Sequence, residues 1–136
     1  LCAVVLLAIP KTRKTGYAAV LSLIFGVIVT NLLLKNIVAR PRPFAEIEAL
    51  IPLIAKPTDF SFPSGHTTAS FAVALVMLRM LPKKIGIPAV VLAALVAFSR
   101  LYLGVHYPTD VLAGFVVALV GSSLAVWGVR TKLGNQ

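Results

Sequence analysis

Acidic residues are scarce in this sequence: four Asp and Glu stand against thirteen Lys and Arg, a formal charge of +9 over 136 residues. Charge of either sign is scarce as well, at 12% of the chain, where a soluble domain carries about a quarter. That shortage excludes an ordinary globular protein, and the 59% of hydrophobic residues excludes disorder, which requires low hydrophobicity. A nucleic-acid binder clusters its basic residues on a wettable surface. Here apolar runs separate them, so no nucleic-acid partner is expected. One cysteine, Cys2, closes no internal disulfide and reads as an inert thiol in an apolar helix. What the sequence does have is long apolar runs and a mean hydropathy of +0.97, the composition of a multi-span membrane protein.

Punctuation divides the runs. The first, 1–9, is about half of the roughly 20 residues a span requires. No charged segment precedes it and no small-residue cleavage site follows, so it is expected to be the tail of a spanning helix in a longer protein, not a signal peptide. A basic turn at 10–16 leads to residues 17–34, long enough at about 27 Å to span. The polar stretch 35–65 follows and holds five of the nine prolines. Helices are expected at 66–81, 85–104 and 110–129, before a tail at 130–136. The expected fold is therefore all-α, a polytopic transmembrane helical bundle of four full helices and one partial one, forming a single membrane-embedded domain over 1–136. Small residues at helical spacing, Ala89, Ala93 and Ala97, then Gly114, Ala118, Ser122 and Ala125, predict closely packed helices.

Charge gives an orientation. By alternation, the turn at 11–14, the turn at 82–84 and the tail share one side, with Lys11, Arg13, Lys14, Lys83, Lys84, Arg130 and Lys132; Arg79 snorkels toward them. No acid sits there, so the positive-inside rule makes that side cytoplasmic. The stretch 35–65 and the link 105–109 then lie on the outer side, which is close to neutral. Most of the +9 is a topology signal.

The outer side nevertheless holds Lys35, Arg40, Arg42, Ser64, His66, Arg100, His106 and Asp110, at helix ends where ionisable groups are expensive and usually functional. Fixed cations make a sink for a multiply charged oxyanion, and Arg bonds phosphate in bidentate fashion. Ser64 and Gly65 open a helix whose free N–H groups point to the same place. His106 and Asp110 straddle the start of the last helix, so the carboxylate can hold one imidazole nitrogen and present the other as nucleophile. His66, from another helix, is placed to act as an acid. These are parts for phosphoryl transfer without a metal. Read singly, each has a plainer account. Lys35 and Arg42 anchor a helix end among headgroups, Ser64-Gly65 is a turn and cap, and His106 with Asp110 is a structural hydrogen bond or half a metal site. Three separated segments placing their polar residues on one side favour a single site.

In order and without a gap, Lys35-x6-Arg42-Pro43, Pro63-Ser64-Gly65-His66 and Ser99-Arg100-x5-His106-x3-Asp110 resemble the three-part signature of the type-2 phosphatidic acid phosphatase family. The resemblance implies a six-helix membrane phosphatase, of which this chain would lack the first helix and part of the second, with its site at the outer face of the cell membrane. It implies that His106 is the nucleophile that becomes phosphohistidine, that Asp110 orients it, and that His66 protonates the leaving oxygen. Lys35, Arg42 and Arg100 would bind phosphoryl oxygens with Ser64 and the Gly65 N–H, and no metal or other cofactor would be needed. Arg40 and Ser99 receive no assignment. The implied partners are membrane lipids and a lipid phosphate substrate. Undecaprenyl pyrophosphate is favoured because an outward site meets that carrier where wall synthesis releases it. Phosphatidylglycerol phosphate and phosphatidate are alternatives, since the motifs read the phosphoryl group and not the lipid. A non-enzymatic alternative is a protein that binds or transports lipid phosphates. The segment 44–62 is expected to roof the site, and nothing in the sequence fixes an oligomeric state.

Overall fold

The computed structural model describes residues 1–133, and every regular element among them is helical. The tail expected at 130–136 continues the last helix to Leu133, and residues 134–136 lie outside the described residues. The elements are α1 (Cys2–Ala8), α2 (Arg13–Val27), α3 (Lys35–Val38), α4 (Pro43–Glu46), α5 (Gly65–Met80), α6 (Lys83–Tyr102) and α7 (Pro108–Leu133). Between α2 and α3 the coil widens into a π-helical stretch, Ile28–Leu34, so helix is continuous over 13–38.

The helix expected at 17–34 thus starts four residues early and runs four residues late. At its start, Thr12 Oγ1 donates to the Leu6 carbonyl (2.9 Å) and Arg13 Nε to the Leu7 carbonyl (3.2 Å), tying the turn to the end of α1. Gly16 completes the junction, because a Cβ there would lie 2.6 Å from the Leu7 backbone nitrogen. At its end, π geometry releases carbonyls from regular pairing. The Asn36 amide takes one of them, donating to the Leu32 carbonyl at 2.9 Å. Ala39 stops the coil in the left-handed region, at φ +47°.

Among the described residues, three stretches are long and apolar enough to cross a membrane: Pro10–Glu46, Lys83–Tyr102 and Pro108–Lys132. The fourth expected span, α5, has 16 residues, about 24 Å, and is the central helix, packed against α2, α6 and α7. Its start is set by Pro63 and the Ser64 cap. The core is built of small side chains, as the alanine and glycine spacing predicts. Ala18, Ala19, Val76 and Ala125 pack in one cluster, and Ala72, Ala93, Ala97 and Ala118 in another. Without a hydrophobic drive between helices in lipid, close approach of backbones supplies the contact. The large apolar side chains instead point outward, with Leu92, Leu95, Leu112 and Trp127 all more than half exposed.

The bundle has two distinct ends. At one, Arg79 Nη1 donates to Ser122 Oγ (2.5 Å) and Arg130 Nη2 donates to the Arg79 carbonyl (2.9 Å). The basic turns at 11–14 and 82–84 lie at this end, as the alternation requires. The other end gathers α3, α4, the start of α5, the end of α6 and the start of α7.

Candidate active site

The start of α5 is fastened to the start of α7. The Ser64 N–H donates to the Asp110 carbonyl (3.0 Å), and Ser64 Oγ accepts from the Thr67 N–H (3.4 Å) and Thr67 Oγ1 (3.0 Å). Such a cap satisfies one of the four orphan N–H donors of a helix start. Gly114 permits the approach, since a Cβ there would lie 2.7 Å from the Ser64 carbonyl. Ser64 is fully buried and does not line the cavity described below, whereas its neighbours Gly65 and His66 do. The structure therefore places Ser64 as the cap, one of the two roles its sequence position allows.

Pro108 opens α7, which puts Asp110 at the third helical position. Asp110 is fully buried, and four donors surround it. Arg40 Nη1 reaches Oδ1 at 3.0 Å, while Oδ2 accepts from Ser61 Oγ (2.5 Å), the Tyr107 N–H (2.9 Å) and His106 Nδ1 (3.4 Å). The other ring nitrogen of His106, Nε2, lies 3.4 Å from Arg42 Nη1. A carboxylate cannot donate and a guanidinium cannot accept, so these partners select one tautomer, with the proton on Nδ1 and the lone pair on Nε2. Arg42, His106, Asp110 and Arg40 form one line, an arginine at each end.

Prolines organise the two arginines. In Arg40-Pro41-Arg42-Pro43 the rings hold the backbone extended. Arg40 goes to Asp110, to Thr109 Oγ1 (2.7 Å) and over the Tyr107 ring, 3.8 Å from its centroid. Arg42 is buried, with Nη1 on the Val105 carbonyl (2.8 Å) and Nε on the Asp59 carbonyl (2.9 Å). Its Nη2 pairs with Asp59 Oδ1 at 2.6 Å, and the buried Lys35 pairs with Asp59 Oδ2. Burial alone would raise the Asp59 carboxyl. Hydrogen bonds and charge from Lys35 and Arg42 overcome that and lower it from 3.8 to about 2.

A cavity of about 360 Å³ opens here, lined among others by Lys35, Arg42, Gly65, His66, Arg100 and His106. Seven of the eight residues assigned from sequence thus meet at one place: those six at the cavity wall and Asp110 directly behind His106. Arg100 bonds its neighbour Ser99 Oγ (3.1 and 3.2 Å), and no carboxylate pairs with it among the described residues. No group of three or more His, Cys, Asp or Glu placed to hold a metal occurs among the described residues.

Sequence reasoning gave no role to two participants, Asp59 and Ser61, and named a third, Arg40, without assigning it one. Asp59 lies in the segment expected to roof the site, but the signature has no acid there. Ser61 carried no signal beyond its nearness to Pro63. Arg40 was left unassigned, and its spacing from Arg42 was the available clue, since an extended Arg-Pro-Arg presents two cations to one helix start.

A model of the PAP2 superfamily matches residues 16–133. An undecaprenyl-diphosphatase of Sulfolobus acidocaldarius is 37% identical over 127 residues, which cover 93% of this chain and 60% of that protein. The chain thus spans about 60% of the length of that relative, one of several curated proteins it matches. The crystal structure of Aquifex aeolicus LpxE superposes with a TM-score of 0.82 at 25% identity, covering 93% of this chain and 74% of the other. A transmembrane PAP2-type phosphatidylglycerolphosphate phosphatase from Bacillus subtilis gives a TM-score of 0.73 at 31% identity, covering 96% and 66%.

Proposed function

Since the chain belongs to the PAP2 superfamily, we propose that it is the core of an integral-membrane phosphatase that hydrolyses a lipid pyrophosphate or lipid phosphate monoester through a phosphohistidine. The observation that carries this reading is His106, with Nδ1 on Asp110 and Nε2 at the wall of a cavity shared with Lys35, Arg42, His66 and Arg100.

The chemistry follows from those positions. Lys35, Arg42 and Arg100 take the non-bridging phosphoryl oxygens, and the Gly65 N–H at the positive end of α5 adds a donor. The His106 Nε2 lone pair attacks the terminal phosphorus while its bond to the leaving oxygen breaks, the bridging oxygen of a pyrophosphate or the lipid oxygen of a monoester, and His66 gives that oxygen its proton. Asp110, accepting from Nδ1, stabilises the charge the ring gains. Water then attacks the phosphohistidine and gives its proton to His66. The P–N bond breaks, inorganic phosphate leaves and His106 recovers its lone pair. Such catalysis is mostly positioning plus stabilisation of the equatorial oxygens.

Undecaprenyl pyrophosphate is the substrate we favour, supported by the relative of that name and by a site at the end of the bundle opposite the basic turns, the outer face by the positive-inside rule. Phosphatidylglycerol phosphate is the second reading, supported by the Bacillus subtilis structure. The test is phosphate release by the purified full-length protein from a panel of lipid phosphates, with His106→Ala beside it. The variant is expected to lose about 10⁴-fold or more in kcat. Equal release by variant and wild type would overturn the enzyme reading in favour of a binding or transport protein.

A further inference from the structure

Asp59 divides its carboxylate between the two buried cations, Oδ2 on Lys35 and Oδ1 on Arg42, much as two oxygens of a phosphoryl group would be shared. We propose that Asp59 is the resident counter-anion of the phosphate cradle, a carboxylate that the substrate's phosphoryl group displaces and that returns when phosphate leaves. The inference deepens the phosphatase reading and rests on it.

Three features of the fold fit such a part. Lys35 and Arg42 are 8% and 6% exposed, and a desolvated cation without a counter-charge is costly, so the empty site needs an anion of its own. The Asp59 side chain is itself 53% exposed and stands in a stretch without helix. Arg42 Nε holds its main-chain carbonyl, so the side chain can turn while the backbone stays tethered. Finally, a second cavity, of about 390 Å³, adjoins the first, and Asn31, Lys35 and Asp59 line both. Asp59 and its partner Lys35 thus stand where the two spaces adjoin, and the second offers room for the displaced carboxylate.

The consequence is selective. A carboxylate brings one negative charge to the two cations. A phosphoryl dianion brings two and has a third oxygen for Arg100, the cation without a carboxylate partner among the described residues. Displacement therefore favours multiply charged phosphoryl groups over monoanions. The returning carboxylate also weakens the hold on inorganic phosphate, the product, and speeds its release.

The experiment measures binding of inorganic phosphate to the full-length protein in detergent, by calorimetry, for wild type, Asp59→Asn, Asp59→Glu, Lys35→Ala and Arg42→Ala. Removing the competing charge in Asp59→Asn is expected to tighten phosphate binding roughly 10-fold, against a wild-type-like Asp59→Glu. Product inhibition of turnover strengthens in parallel. If phosphate binding is lost in Lys35→Ala and Arg42→Ala but Asp59→Asn binds no tighter than wild type, Asp59 merely orients the cations and this inference fails alone. If phosphate binding is indifferent to Lys35→Ala and Arg42→Ala, the cradle itself is misplaced and the phosphatase reading fails with it.

Discussion

Arg40 and Asp110, seventy residues apart in the sequence, meet at 3.0 Å. The guanidinium takes one carboxylate oxygen and leaves the other to Ser61, the Tyr107 N–H and His106. Asp110 is fully buried, so its charge depends on these donors. Arg40 is the one full counter-charge among them when His106 is neutral.

Arg40→Ala is accordingly expected to lower kcat by about 10–100-fold with little change in KM, the pattern of a lost positioning partner. Arg40→Lys restores part of the rate, because it keeps the charge but loses the planar contact with Tyr107. Steady-state kinetics on a lipid phosphate check this. A rise in KM at constant kcat would mean instead that Arg40 contacts the substrate headgroup.

The bundle and the cavity residues were legible because each rests on a local rule. Apolar runs set the helices, alternation put three polar segments at one end, and the 106–110 spacing set the histidine against its carboxylate across the first turn of α7. Asp59 was illegible for a different reason. It is held by tertiary charge pairing across a stretch without helix, and no periodicity points to that. The helix over 13–38 was read too short at both ends because Arg13 and Lys35 look like boundaries. Arg13 bonds a carbonyl of the preceding helix and Lys35 finds an ion-pair partner, so neither ends the coil.

Gly114 sets the distance between α5 and α7, and hence between His66 and His106. Gly114→Ala places a methyl 2.7 Å from the Ser64 carbonyl, and overpacking of this kind costs about 1–3 kcal/mol. A lower melting temperature in detergent and a reduced kcat are expected together. Gly128→Ala, in the same helix with nothing within 4 Å of the added carbon, is the control and is expected to be neutral or to stabilise by up to about 1 kcal/mol. Equal effects of the two would remove the special role of Gly114.

The Asp59 pairing should be insensitive to pH in the working range. Its carboxyl is lowered from 3.8 to about 2, so the ion pairs are fully formed above about pH 4 and are lost only as pH falls through 2. Inorganic phosphate itself becomes a dianion only above about pH 7, so the ratio of phosphate affinities between Asp59→Asn and wild type is expected to be constant from about pH 8 to 9. A ratio that collapses within that interval would show that another titrating group, not the Asp59 charge, sets the difference.

An outward site is the expectation to test, and it rests on which helix ends share a face. Lys83 and Lys84 lie at the end of the bundle remote from His66 and His106, so a cytoplasmic basic face requires an outward site. The free, exposed Cys2, the one cysteine of this sequence, is first replaced by Ser, together with any cysteine the full-length protein carries outside it. Single cysteines are then placed at Ala55, exposed in the stretch above the site, and at Lys84, exposed in the opposite turn. In intact cells a membrane-impermeant maleimide is expected to label Ala55→Cys, and to label Lys84→Cys only after permeabilisation. The reverse pattern would turn the site to the cytoplasm. It would also remove the charge argument for a carrier lipid released at the outer leaflet, leaving substrates presented on the inner leaflet to be tested first.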